Sequence, residues 1–260
     1  MPIPRRPVIL ALVTAVACTP ARFGWDEATN GDLETYRARF EAAAGDHFDR
    51  QWAHPELLEA AKKARVLWLG DFHPSLRLHR LHTALLTELQ RDGRPLLLAL
   101  EAIGDQDETW VAEYLAGSLS LTALAERMRA RWAGSWLDDP DLDPWYYRWL
   151  LTFARAHAVP VAGLEPTPRP PLATRDPLIS ARVTELVERH PRHLVVVVLG
   201  QAHLLGIGGQ LARCQVPQLA LGGVPPRGLL AAAPSTPCPG SVHRSPGGLW
   251  WFDELLGVGR

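Results

Sequence analysis

The chain has 260 residues, 47% hydrophobic and 21% charged, a globular composition and not a disordered one. Its 27 Lys+Arg against 28 Asp+Glu leave a formal charge of -1, so it carries no broad basic field of the kind nucleic acid selects. That length suffices for one sizeable α/β domain, with or without an inserted helical lobe.

Arg5 and Arg6 precede the apolar run ILALVTAVAC, residues 9–18, in the order of a secretory signal. Ala15, Val16, Ala17 and Cys18 form a loose lipobox, so the expectation is a bacterial cell-envelope lipoprotein, anchored to a membrane surface through acylated Cys18. A plain cleaved signal and a buried N-terminal helix are the alternatives. The run is too short to span a bilayer as a helix, and no second long apolar segment follows, which argues against a channel or transporter. Residues 1–18 are thus set apart as a signal, leaving 19–260 as a single domain. Cys214 and Cys238 would pair in an exported compartment or stay free; neither sits in a CxxC motif.

Residues 19–30 read as a tether and 32–45 as a helix with Leu33, Tyr36 and Phe40 on its apolar side. A second helix covers 54–64, with Pro55 in its first turn. RVLWLG, 65–70, is the first strand, apolar throughout as a sheet covered on both faces requires. Residues 74–93 form a helix with a stripe of Leu78, Leu81, Leu85, Leu86 and Leu89, and PLLLALE, 95–101, is the next strand. Residues 104–157, rich in Trp and Tyr, read as an inserted helical lobe. Its last helix is capped by Asp143 with Pro144 at the first position. Then follow a strand at 159–165, a helix at 174–191 capped by Asp176, and strands at 193–200 and 216–223. LWWFDEL is a further short strand or a docking segment. The fold class is α/β: a layered sandwich with a mostly parallel central sheet flanked by helices, carrying the lobe.

Three apolar runs end on polar groups: LWLGDFH on Asp71 and His73, LLLALE on Glu101, and VVVVLGQAH on His203. In an open α/β sheet the C-terminal strand ends share one edge, where ligands bind. Two histidines and a carboxylate, His73, Glu101 and His203, make a reasonable set for a divalent metal. Asp71 would then orient His73 or serve as a base, unless it only caps the next helix. Glu101 needs a partner for its buried charge, a metal, a histidine or Arg175. Glu165 repeats that geometry. His79, near its helix start, can reach the pocket, whereas His82 lies on the apolar face as a core residue. Tyr146 and Tyr147 are tyrosines able to ligate ferric haem, and the other lobe aromatics serve mainly as core. There is no GxSxG elbow, no P-loop, no GxGxxG after either early strand and no CxxCH.

Taken together, LGDFH at 69–73, LALE at 98–101, DQDETWVAEYLAG at 105–117, WYYRWLLTFAR at 145–155, TRD at 174–176 and VVLGQAHLL at 197–205 resemble the ChaN-like haem-binding lipoproteins. These belong to the wider Tiki/erythromycin-esterase-like superfamily. The resemblance implies export, non-covalent haem binding for iron acquisition, and ligation by tyrosine and histidine. His73, His79, Tyr146 or Tyr147 would stand near the iron, with Arg77 or Arg175 on a propionate. The first motif commonly carries Glu where this chain has Asp71. Relatives elsewhere in the superfamily hydrolyse peptide or ester bonds with strand-end His and Glu residues. The rival reading is therefore a metal-dependent hydrolase using Asp71, His73, Glu101 and His203. A scaffold that binds only protein partners is a third, and a homodimer is compatible with each.

Overall fold

A computed structural model describes residues 27–131, 136–137, 142–236 and 238–256. The signal and Cys18 lie outside them. An eight-stranded sheet runs in the order β1-β7-β8-β6-β2-β5-β3-β4. The strands are β1 Arg50–Ala53, β2 Val66–Asp71, β3 Leu96–Gly104, β4 Val161–Glu165, β5 Leu194–Gly200, β6 Gln218–Leu221, β7 Ser241–Arg244 and β8 Trp250–Phe252. From β8 to β4 every neighbouring pair is parallel; only β1–β7 and β7–β8 are antiparallel. The sandwich with a mostly parallel sheet is as expected. The short strands β1 and β7, at one side of the sheet, carry no long apolar run and were not legible.

Alternation along the strands builds two layers. Leu67, Leu69, Leu98, Leu100, Val196 and Val198 face one way. There they meet α2 (His54–Lys63), α3 (Leu76–Arg91) and the lobe helices α4 (Glu108–Leu115), α5 (Leu121–Arg131) and α6 (Pro144–Ala156). Val66, Trp68, Leu97, Ala99, Val195 and Val197 face the other way, against α1 (Glu27–Ala44), α7 (Leu172–Arg189) and α9 (Arg227–Ala231). Strands buried on both faces need apolar residues at every position, which is why period-two alternation is invisible in them.

Three boundaries move, with consequences for the site. Helix α1 begins at Glu27, inside the stretch read as tether. Strand β3 continues through Ala102, Ile103 and Gly104, so Glu101 sits within it and not at its end. Helix α7 begins at Leu172, so Asp176 lies inside the helix instead of capping it. Ser75, not Asp71, caps α3, accepting from the Leu78 amide. Cys214 is half-buried and Cys238 exposed, and both are free thiols.

Candidate functional site

Two polar networks occupy the edge where β2, β3, β4 and β5 end. The first is built on Asp71, the last residue of β2. The strand closes on Gly70, where a Cβ would stand 2.9 Å from the Leu221 carbonyl, so the neighbouring backbone approaches too closely for any side chain. Asp71 is 3% exposed. Its Oδ2 faces Nδ1 of His73 at 2.9 Å and also accepts from the Tyr147 hydroxyl, and its Oδ1 faces Nε2 of His79 at 2.7 Å. Nδ1 of His79 faces Asp143 Oδ2 at 2.7 Å. A carboxylate thus faces each ring nitrogen of His79, and the Tyr146 ring stacks on it at 4.0 Å with 2° between planes.

Burial raises the Asp71 carboxyl, but hydrogen bonds from His73 and His79 outweigh it and hold the group well below the usual carboxylate range. For His73 burial pushes down and Asp71 pushes up; the net direction is up. Glu101 and His203 also act on His73 through their charges, which places the two networks within electrostatic reach. The His73 side chain stays one-third exposed, and Nε2 has no hydrogen-bond partner among the described residues. Trp136 stands edge-on to its ring at 4.5 Å.

The second network centres on His203, in the short 3-10 turn Gln201–His203 after β5. Nδ1 meets Asp176 Oδ1 at 2.5 Å, and Asp176 Oδ2 accepts from the Tyr36 hydroxyl of α1 at 2.6 Å. Nε2 has two neighbours, Glu101 Oε1 at 3.3 Å and an Arg175 nitrogen at 3.1 Å. Arginine can only donate and the carboxylate only accept, so they ask for opposite tautomers. Burial disfavours the charged imidazole, yet Glu101 and Asp176 outweigh it and raise His203 to about 9. Glu101 also accepts from the Gly200 amide at 2.7 Å, and Arg175 reaches Glu165 at 3.2 Å.

A register shift between β3 and β4 from Leu100 to Gly104 brackets Glu101. Such irregularities re-aim side chains beside functional sites. Asp143 sits at the N-cap position of α6 but makes no capping hydrogen bond, having gone to His79. Asp143, Asp176 and Tyr36 are the site residues that sequence reasoning missed. The two acids carried the ordinary signature of helix caps, and Tyr36 that of an apolar helix position.

The metal reading fails on the donors. Both His203 nitrogens are engaged, and a guanidinium stands 3.1 Å from Nε2, where a cation would have to bind. Among the described residues no group of His, Cys, Asp and Glu converges as metal ligands do. The haem ligand set is also altered. Tyr146 and Tyr147 are buried, and their hydroxyls engage His82 and Asp71. Burial first, then nearby carboxylates, push both phenols far up, opposite to what a tyrosinate ligand needs. His79 has no free nitrogen, and Arg175 is locked among carboxylates instead of facing a propionate. Arg77 is exposed on α3. His82 lies in the core and is neutral, its imidazole lowered by burial to about 3. Of the histidines expected near haem, His73 alone keeps a ring nitrogen without a hydrogen-bond partner among the described residues.

Fold and site define an α/β sandwich whose strand-end edge carries two buried, coupled acid–histidine networks. Residues 57–170 match the family described as haem-binding uptake, Tiki superfamily, ChaN. That span includes Asp71, His73, His79, Glu101 and Asp143; Tyr36, Arg175, Asp176 and His203 lie outside it. No curated protein matches the chain. Among solved structures, the type III effector HopBA1 is 17% identical over 69% of this chain and 86% of its own, with a TM-score of 0.46. ChaN of Campylobacter jejuni, described with cofacial heme binding, is 11% identical over 65% of this chain and 84% of its own, at 0.44. RRSP, a MARTX toxin effector domain from Vibrio vulnificus, is 17% identical at 0.47; the match covers 74% of this chain but 41% of that one.

Proposed function

We propose that the chain is an exported hydrolase of ester or amide bonds in which His73 is the general base. One observation carries the reading: Asp71 faces Nδ1 of a His73 side chain that is one-third exposed, while Nε2 has no hydrogen-bond partner among the described residues. A carboxylate that holds one imidazole nitrogen sets the tautomer, so the other nitrogen accepts a proton. In this reading water is the nucleophile. Nε2 takes the water proton as the hydroxyl oxygen attacks the carbonyl carbon, and the same proton passes to the leaving group when the bond breaks. Asp71 stays ionised throughout, held so by His79, which Asp143 anchors from behind. Glu101, His203 and Arg175 supply a fixed field beside the base.

The assay is turnover of short-chain p-nitrophenyl esters and fluorogenic peptides. H73A is expected to lower kcat/KM by about 10²–10⁴-fold. His73 is raised, so the base form fills only above the ordinary imidazole range and activity climbs with pH through that raised value. D71N removes the cause and moves the ascending limb to lower pH while reducing its height. Parent-like turnover in both variants would sink the proposal.

Haem carriage is the second reading, favoured by the description of the matched family and by the partly exposed His73 side chain. It requires a saturable Soret shift with ferric haem that H73A abolishes, in a protein that turns over none of the esters.

A further inference from the structure

The sheet carries a slot at the edge opposite the site. Strands β6 and β8 are neighbours, yet they share one register pair, Leu221 with Trp250. Strand β6 begins at Gln218, level with Val66 at the start of β2, about 17 Å before Asp71 along the strand. Upstream of Trp250 the chain turns back through Gly247 and Gly248 to Ser245 instead of following β6. A cavity of about 640 Å³ opens between β6, that turn and the start of β1. Its volume is that of a ligand pocket.

The β6 backbone says what the slot is shaped for. The Pro217 carbonyl accepts from the Val66 amide of β2, and the Gly222 amide donates to the Trp250 carbonyl of β8 at 2.7 Å. Backbone groups alternate sides along a strand, so Gln218 and Ala220 face β8 with Gly222. Because β8 begins only at Trp250, the Gln218 carbonyl and the Ala220 amide have no ladder partner there. Ala220 is 4% exposed, and a buried amide needs an acceptor. One residue of an added parallel strand, level with Leu219, donates to the Gln218 carbonyl and accepts from the Ala220 amide. Register partners share a face, as Leu221 and Trp250 do. The side chain of the added residue therefore lies with Leu219, beside the Trp52 and Trp250 rings, which stack at 3.7 Å. That place suits an apolar group.

The following residue is level with Ala220, and one more would collide with Trp250, so the added strand ends there. At that closed end stand Arg244, the register partner of Trp250, and Arg50, the partner of Arg244. Asp49 takes Arg244 at 3.0 Å. Arg50 is exposed and has no carboxylate partner among the described residues. Two guanidiniums attract an α-carboxylate and repel an α-amine, which fixes the direction. We infer that the slot binds the C-terminal tail of another polypeptide as an extended strand, with an apolar residue next to last. Upstream residues of the tail leave past Gln218, at the open end. The site is remote from His73 and independent of its chemistry.

The full chain is titrated into fluorescein-labelled Gly-Thr-Val-Ala bearing a free α-carboxylate, and anisotropy is recorded. Saturable binding is expected, together with slowed hydrogen exchange at the Ala220 amide. The same peptide as its C-terminal amide lacks the charge, and the peptide N-methylated at Val lacks the donor to Gln218. Each is expected to bind about tenfold more weakly or worse. R50E is expected to lose about tenfold as well, with the parent melting temperature, because Arg50 is exposed. Absence of saturable binding overturns the proposal. So does an amidated or N-methylated peptide that binds as tightly as the first, since contact is then apolar adhesion or charge alone. Binding that R50E leaves unchanged overturns it too.

Discussion

At the scale of single residues, the site depends on acids that left their ordinary posts. Asp143 stands where a helix cap stands, yet its carboxylate serves His79 and none of the α6 amides. D143S separates the two roles. Serine caps as well as aspartate, so a capping role predicts no loss. A buried charge partner predicts destabilisation of about 3 kcal/mol, the usual result of orphaning half of a buried pair. Denaturant unfolding decides between them. No sequence signal distinguishes the cases, because Asp before Pro at a helix start looks the same either way.

At the scale of elements, β3 and β4 place Glu101. Their register shifts between Leu100 and Gly104, and they close so tightly there that a Cβ on Gly163 would stand 2.5 Å from the Gly104 carbonyl and 2.9 Å from that of Ile103. Backbone atoms cannot swing aside as a side chain would. G163A is expected to cost about 1–3 kcal/mol and to lower kcat/KM by displacing the Glu101 segment; an unchanged melting temperature with unchanged turnover would refute this. The strands themselves were legible as short apolar runs, and α3 by its leucine stripe. The irregularity was not, since a bulge is a relation between two strands and LLLALEAIG reads as one uninterrupted run.

At the scale of the molecule, the second network ties α1, α7, β3 and β5 together through Tyr36, Asp176, Glu101 and His203. Its pH dependence follows from sign. The His203 imidazole rises from about 6.5 to about 9 on folding, so its contribution is complete below 6.5 and is lost as pH climbs through 9. His82 is lowered to about 3, so stability drains as pH falls below 6.5. Glu101 is depressed, and its contribution is present above 4.5 and disappears as pH falls through its folded value. Thermal unfolding across this range should peak near pH 6.5, with H203Q flattening the alkaline side and H82L the acid side. A parent-like alkaline slope in H203Q would mean that His203 is not the group that titrates.

What the sequence by itself determined is the layered α/β sandwich and the arrival of Asp71, His73, Glu101 and His203 at one edge. Both follow from local rules: apolar runs of strand length must be buried on both faces, and parallel strands end on the same side. Only the tertiary structure decided how those groups pair. Arg175 beside His203, Tyr147 on Asp71, and Asp143 behind His79 come from α7 and α6, far away in the chain. Whether a histidine binds a metal, holds a proton or offers a free nitrogen depends on such neighbours, and a strand-end motif does not encode them.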